Sequence, residues 1–225
     1  MDFELKSEQK EILLLILEEF YEKNGDFSYL CEDSDISDTD KYVYSYGASK
    51  GVIIPLAEDA IIAPYVLKIP FSYEDKCCEV PFEKNYCQME EDIGIAAEEE
   101  ELSDIFIPTK YLCTFSGTKV YTQPLVNTSR RVRPYSYEIL SNDYGIEELS
   151  GIDPNLSLSI VEYYGIDKFL KMREFIEKKR INDLHGGNYG YIGDRPVIFD
   201  YCGYYGPEGS YNSSCLSGDR SSFYD

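Results

Sequence analysis

Between Ile181 and Gly206 the chain reads INDLHGGNYGYIGDRPVIFDYCGYYG, and no other stretch leaves so few folding solutions. Two short apolar segments, Tyr189 to Ile192 and Pro196 to Phe199, flank Gly193-Asp194-Arg195, residues of the kind that turns favour. This predicts a β-hairpin. With a three-residue loop Ile192 faces Pro196, and Asn188 then faces Asp200. Directly opposed residues hold their Cβ atoms about 5 Å apart. An amide oxygen and a carboxylate would therefore converge at the open end of the hairpin. Such hard oxygen donors suit Mg²⁺, which is held by one or two protein groups and by substrate phosphates. Asp183 lies five residues before Asn188 and is left to act on a third group. His185, the one histidine, reads as a hydrogen-bonded loop residue.

The 225 residues, 43% hydrophobic and 28% charged, are enough for one large domain or two small lobes with a real core. Residues 7 to 23 predict a helix: Ser7 can cap it, Ile12, Leu13, Ile16, Leu17 and Phe20 share a side, and Gly25 stops it. Residues 41 to 126 read mostly as strands. A glycine turn, YGASKGV, lies between Tyr- and Val-rich segments, and the apolar run IIAPYVLKIPF is interrupted by Lys68. A helix is expected over about Phe82 to Glu99, with Tyr86, Met89, Ile93 and Ala96 or Ala97 inward. Glu90 shares that face, with Glu91 the alternative. KYLCTF and VYTQPLV predict a hairpin around Ser116-Gly117-Thr118-Lys119. The basic NTSRRVRP is the connection to a helical region over 155 to 180, whose face carries Ile166, Phe169, Leu170, Arg173 and Ile176. The division expected is 1–40 (helix and acidic loop), 41–126 (a β-rich unit) and 127–225 (a mostly helical unit).

Net charge is −21, so the surface repels phosphate backbones and nucleic-acid binding is excluded as an expectation. The acid concentrates in EDSDISDTD (Glu32 to Asp40) and EEDIGIAAEEEE (Glu90 to Glu101), read as solvated segments. The apolar run ILLLIL, Ile12 to Leu17, is far short of the roughly 20 residues a bilayer needs, and no secretion signal is visible. The expectation is a cytoplasmic protein with no membrane contact. Its seven scattered cysteines lack zinc-site spacing and read as reduced thiols.

D-L-H-G-G-N followed by D-Y-C-G resembles the catalytic loop and metal-binding segment of the protein-kinase-like superfamily. It looks most like the aminoglycoside and choline kinases and the atypical bacterial and phage kinases. The resemblance implies an α+β bilobal fold, with a β-rich N-terminal lobe and a reduced, mostly helical C-terminal lobe. It implies ATP and Mg²⁺ as cofactors, Asp183 as the base for an acceptor hydroxyl, and Asn188 and Asp200 as metal ligands. VLKI is similar to the strand bearing the phosphate-binding lysine, which implies Lys68 in that role and Glu90 as its partner. YGASKGV stands for the glycine-rich loop through Gly47 and Gly51, and TQPLV for the adenine hinge through Gln123 and Leu125.

The departures shape the expectation. Asn182 stands where regulated protein kinases carry an arginine, the glycine loop lacks G-x-G-x-x-G, and only 25 residues follow Asp200. The expected activity is a compact ATP/Mg²⁺-dependent phosphotransferase acting on a hydroxyl of a protein or a small molecule, with a partner protein completing the reduced lobe. The alternatives are a nucleotide-binding scaffold without turnover and an acidic interaction protein that inhibits a basic factor.

Overall fold

The structure, a computed structural model, describes residues 4–25, 39–46, 50–70, 85–129, 132–181 and 184–201. Gly47, Asp183, Asn182, the cysteine pair at 77 and 78, and most of the acidic stretch 32–40 lie outside the described residues. Helix α1 (Ser7–Asn24) forms where Leu13, Ile16, Leu17 and Phe20 recur at helical spacing, and it buries all four. Ser7 is its first residue rather than its cap. Lys6 takes the cap position, and its N–H donates back to the Gln9 side chain at 3.0 Å.

Five strands, β1 (Tyr42–Tyr46), β2 (Lys50–Pro55), β3 (Tyr65–Pro70), β4 (Lys110–Phe115) and β5 (Thr118–Pro124), form one antiparallel sheet in the order β1-β2-β3-β5-β4. A short helix α2 (Ala57–Ile62) takes up the start of the apolar run before β3, and α3 (Tyr86–Glu99) lies between β3 and β4. The β4–β5 loop needs only Ser116 and Gly117, both left-handed at φ 48 and 83, as a two-residue hairpin turn demands. Alternation divides the sheet into two faces. Ile53, Leu67, Ile69 and Val120 join α1 in one apolar core. Lys68 stands opposite both Val52 and Tyr121, so these residues, and Lys50 two before Val52, occupy the other face.

The second core joins α3 to three further helices, α4 (Ser136–Tyr144), α5 (Pro154–Tyr164) and α6 (Ile166–Lys179). The region expected to be helical over 155–180 holds two helices. Gly165, at φ 88, ends α5 and begins α6. The buried side of α6 is Phe169, Met172, Phe175 and Ile176, while Ile166 and Leu170 are exposed. The apolar stripe is thus rotated from the expected one, because Met172 and Phe175 fill the core that Leu170 turns away from. Lys168, Lys171 and Lys178 on α6 pair with Asp104, Glu101 and Glu100, so the end of the acidic run is matched by a basic helix face. Among the described residues no helix is long and apolar enough to cross a membrane.

Strands β6 (Tyr189–Ile192) and β7 (Arg195–Ile198) make the expected hairpin in a different register. Gly193, at φ 64, takes the first place of a two-residue turn, so Arg195 enters the ladder opposite Ile192. Every pairing moves by one residue, and the direct opposition of Asn188 and Asp200 is lost. The two stay adjacent through the backbone instead: the Asn188 carbonyl accepts from the N–H of Phe199 at 3.1 Å and of Asp200 at 3.3 Å. The hairpin is clamped on both edges. Tyr191 exchanges two backbone bonds with Asn127, at 2.9 and 3.0 Å, and Ile198 is bonded to Ile105 and Ile107.

The clamp depends on a close approach at Gly190, where a Cβ would stand 2.5 Å from the Asn127 carbonyl oxygen and 2.6 Å from Val126 Cγ1. Backbone cannot yield there as a flexible side chain can. Gly190→Ala should therefore destabilise the protein by about 1–3 kcal/mol. Urea unfolding at constant m-value checks this, and an unchanged midpoint would show that the clamp is loose.

Candidate functional site

Four charged side chains from four segments meet between the sheet, α3 and the hairpin. Glu90 on α3 is fully buried, at 0% exposure, and Lys68 on β3 and Lys50 on β2 are 2% and 5% exposed. Lys68 Nζ donates to Glu90 Oε2 at 2.7 Å, and Lys50 Nζ donates to Glu90 Oε1. Lys50 also reaches Asp200 Oδ1 at 2.9 Å, and Lys68 donates to the carbonyl of Phe199 at 3.0 Å. The Thr109 hydroxyl donates to Glu90 Oε2 at 2.7 Å. Both oxygens of the glutamate are thus occupied by donors, as a buried carboxylate requires.

Local structure explains how each side chain arrives. Asn85 caps α3 by accepting from the Gln88 N–H at 3.1 Å. Tyr121, next to Lys68 on the sheet, accepts from Asn85 and donates to Gln88, both at 3.0 Å, which moors the start of α3 on this face. One turn further Glu90 points into the sheet. The buried side of α3 is Tyr86, Cys87, Glu90, Gly94 and Ala97; of the residues expected inward, Tyr86, Glu90 and Ala97 are buried, Ile93 and Ala96 pack half-buried on the second core, and Met89 is half-buried. Gly94 leaves room for Tyr201, whose hydroxyl would stand 3.1 Å from a Cβ there and donates to the Ile107 carbonyl at 2.8 Å. Glu91, the alternative partner for Lys68, accepts instead from the Tyr111 N–H on β4 at 2.8 Å.

The electrostatics follow from burial and proximity. Burial alone would push the Glu90 carboxyl up, but the Lys50 and then the Lys68 ammonium outweigh it and hold it down at about 2. Burial would lower Lys50, yet Glu90 and Asp200 keep it well above the ordinary lysine value. Asp200 moves the other way: burial raises its carboxyl, Lys50 opposes this, and Glu90 adds to the rise. Its side chain keeps 31% of its surface exposed, so solvent moderates that rise. Cys87 is buried beside the cluster, and burial and then Glu90 push its thiol up to about 12, which leaves it protonated and unreactive.

The chain matches no known family model and no curated protein sequence.

The residues singled out in the sequence therefore divide. Lys68, Glu90 and Asp200 come together, with Asn188 buried beside Asp200 on the backbone. Gly51 lies buried in β2 against the Tyr44 ring. Gln123 is buried, and its amide donates to the Ile107 carbonyl at 3.2 Å and to Thr109 at 3.0 Å, which steadies the hydroxyl on Glu90. Leu125 is half-buried, and its N–H donates to the Pro64 carbonyl at 2.8 Å. His185 Nδ1 accepts from the Gly187 N–H at 2.9 Å, closing its loop. The residue that sequence reasoning missed is Lys50. No sequence signal marks it: only the pairing of β2 with β3, which sets Val52 opposite Lys68, puts Lys50 on the same face.

A divalent cation at this place would meet the Asp200 carboxylate, with Asn188 adjacent through its backbone carbonyl. Among the described residues no group of three or more His, Cys, Asp or Glu is placed to hold a metal. The donor set therefore fits a cation that takes its other ligands from water and phosphate, as Mg²⁺ does.

Glu90 has a folded value of about 2 against an ordinary 4.5, so its contribution to stability is present above about pH 4.5 and is lost as the pH falls toward 2. Glu90→Gln should cost about 3–5 kcal/mol at pH 7, because it leaves buried Lys68 facing a neutral amide and Lys50 with Asp200 alone. The gap between wild type and variant should narrow steadily below pH 4.5. Denaturant titrations from pH 7 to 2.5 measure it, and a gap independent of pH would show that Glu90 is not ionised in the folded protein.

Proposed function

We propose that the chain is a compact ATP- and Mg²⁺-dependent phosphotransferase of protein-kinase-like type, with the sheet and α3 as one lobe and α4 to α6 with the hairpin as a reduced second lobe. The observation that carries this reading is the buried Lys68–Glu90 pair at 2.7 Å with Asp200 beside it. A lysine held by a helix glutamate, next to a carboxylate that follows a hairpin, is an arrangement for orienting polyphosphate.

Lys68 would contribute a fixed positive charge to the phosphates, held by Glu90 and the Phe199 carbonyl. Asp200 and Asn188 would hold Mg²⁺, which neutralises phosphate charge during transfer. Gln123 and Thr109 keep Glu90 in place from behind. Asp183 would accept the proton of an acceptor hydroxyl, with a protein hydroxyl as the first choice and a small molecule as the second. Transfers of this kind draw most of their rate from positioning and charge stabilisation, which a rigid ion-pair cluster supplies.

ATP with Mg²⁺ should raise the melting temperature by several degrees, since a ligand at about 100 times its dissociation constant adds roughly 2.7 kcal/mol. Asp200→Ala and Lys68→Met should lose most of that shift, while Asp183→Ala should keep it. Incubation with radiolabelled ATP and a cell extract should label a protein acceptor, and Asp183→Ala should abolish the label. No shift in the wild type would overturn the nucleotide site. A shift without label from any acceptor would leave a nucleotide-binding scaffold in place of an enzyme.

A further inference from the structure

The cluster holds one cation more than a lysine–glutamate pair needs. Glu90 has Lys68 and Thr109 on Oε2, and Lys50 on Oε1. Lys50 is the residue whose ion pair extends from Glu90 to Asp200, at 2.9 Å, while Lys68 turns to the Phe199 carbonyl. Two ammoniums and two carboxylates balance to no net charge. Such a cluster offers little attraction to a cation alone or to an anion alone, because each must break an existing pair. A cation and a polyanion arriving together find both partners available.

We propose that Lys50 is the built-in counter-cation of Asp200, so that a divalent cation gains this carboxylate only as the Lys50 ammonium is handed over to a polyphosphate. The proposal rests on the nucleotide reading for the identity of the polyanion, though not for the competition at Asp200. Competition follows from geometry. An ammonium at 2.9 Å from Oδ1 and a metal ligated by the same carboxylate are like charges at close quarters in a poorly solvated place. Transfer is within reach, because lysine is a compact charge on a flexible four-carbon stem. The consequence is coupling: metal and polyphosphate should each strengthen the binding of the other by the same factor.

The test uses the full chain with Mn²⁺ alone, counting free ion by electron paramagnetic resonance. Lys50→Met should bind Mn²⁺ about tenfold more tightly than wild type, equivalent to ~1.4 kcal/mol. The gain should vanish when Asp200→Asn is added, which separates this carboxylate from the acidic surface. In wild type, Mn²⁺ and ADP should strengthen each other, and in Lys50→Met that coupling should shrink by about fivefold or more. Should Lys50→Met fail to fold, Lys50→Gln keeps a donor for Glu90 and removes the charge. Unchanged or weaker Mn²⁺ binding by the folded variant overturns the proposal, as does a gain that survives Asp200→Asn. A wild type that binds no ADP, with the Mn²⁺ gain intact, removes the nucleotide reading and leaves Lys50 in its role. ADP binding without the Mn²⁺ gain does the reverse.

Discussion

A carboxylate with no exposure to water is the constraint around which the rest of this protein is arranged. Glu90 is ionised in the interior, and an isolated buried charge costs several kcal/mol. Two ammoniums offset it, and they come from adjacent strands of one sheet. This fixes the strand registers more firmly than apolar packing alone. A slip of one residue in β2 or β3 would turn Lys50 or Lys68 onto the opposite face, among Leu13, Leu17 and Phe20 of the α1 core. The sheet thus has a charged face and an apolar face that cannot be exchanged, and α3 and α1 each recognise one of them.

The same carboxylate links the two apolar cores. Lys50 and Lys68 belong to the sheet, and both reach across to the segment after β7, one to the Asp200 side chain and one to the Phe199 carbonyl. That segment is in turn part of a hairpin clamped between residues 105–107 and 127, the two places where the chain leaves α3 and β5. Tyr201 closes the circuit, packing edge-on against Phe106 and bonding to the Ile107 carbonyl. Any movement of the sheet against the helices must therefore strain ionic contacts that are mostly buried. Exposed ion pairs such as Lys178–Glu100 contribute little beside this, because solvent screens them.

Where the chain is governed by simple periodicity, its sequence was legible. Helix α1, the β4–β5 hairpin and the approximate span of α3 follow from apolar spacing and glycine placement, and the mixed α+β character follows from them. Legibility failed where a polar group or a single turn residue decides. Glu90 is expected on the inward side of α3, and the structure buries it there, but Cys87 and Gly94, which share that side, were not expected. The β6–β7 register turned on whether Arg195 belongs to the loop or to the strand, and the positive φ of Gly193 settles it by shortening the loop. Gly165, given no part in the helical reading of 155–180, divides that region into two helices, and α4 lies in a span for which no element was expected. Lys50 escaped because a lysine beside a glycine in a strand-rich segment reads as surface. Only the pairing of β2 with β3 reveals that it shares a face with Lys68.

The contrast between the site and the surface bears on what the site can attract. The chain carries 21 basic residues against 42 acidic ones, and many of the basic side chains lie on the exterior, in pairs with nearby carboxylates. Two lysines are nevertheless spent on an interior cluster whose net charge is zero. A polyanion approaching such a molecule meets repulsion from the acidic exterior, and the neutral cluster adds little attraction until its pairs are exchanged. Neutrality of the cluster then acts as a filter. On the proposed nucleotide reading, cation and polyanion would have to come together to exchange partners with Asp200 and Lys50, and the acidic exterior would raise the barrier for free anions more than for their metal complexes. On the proposed reading, the acidic surface and the two buried lysines are two parts of one selection, which would favour a metal-bound polyphosphate over a bare one.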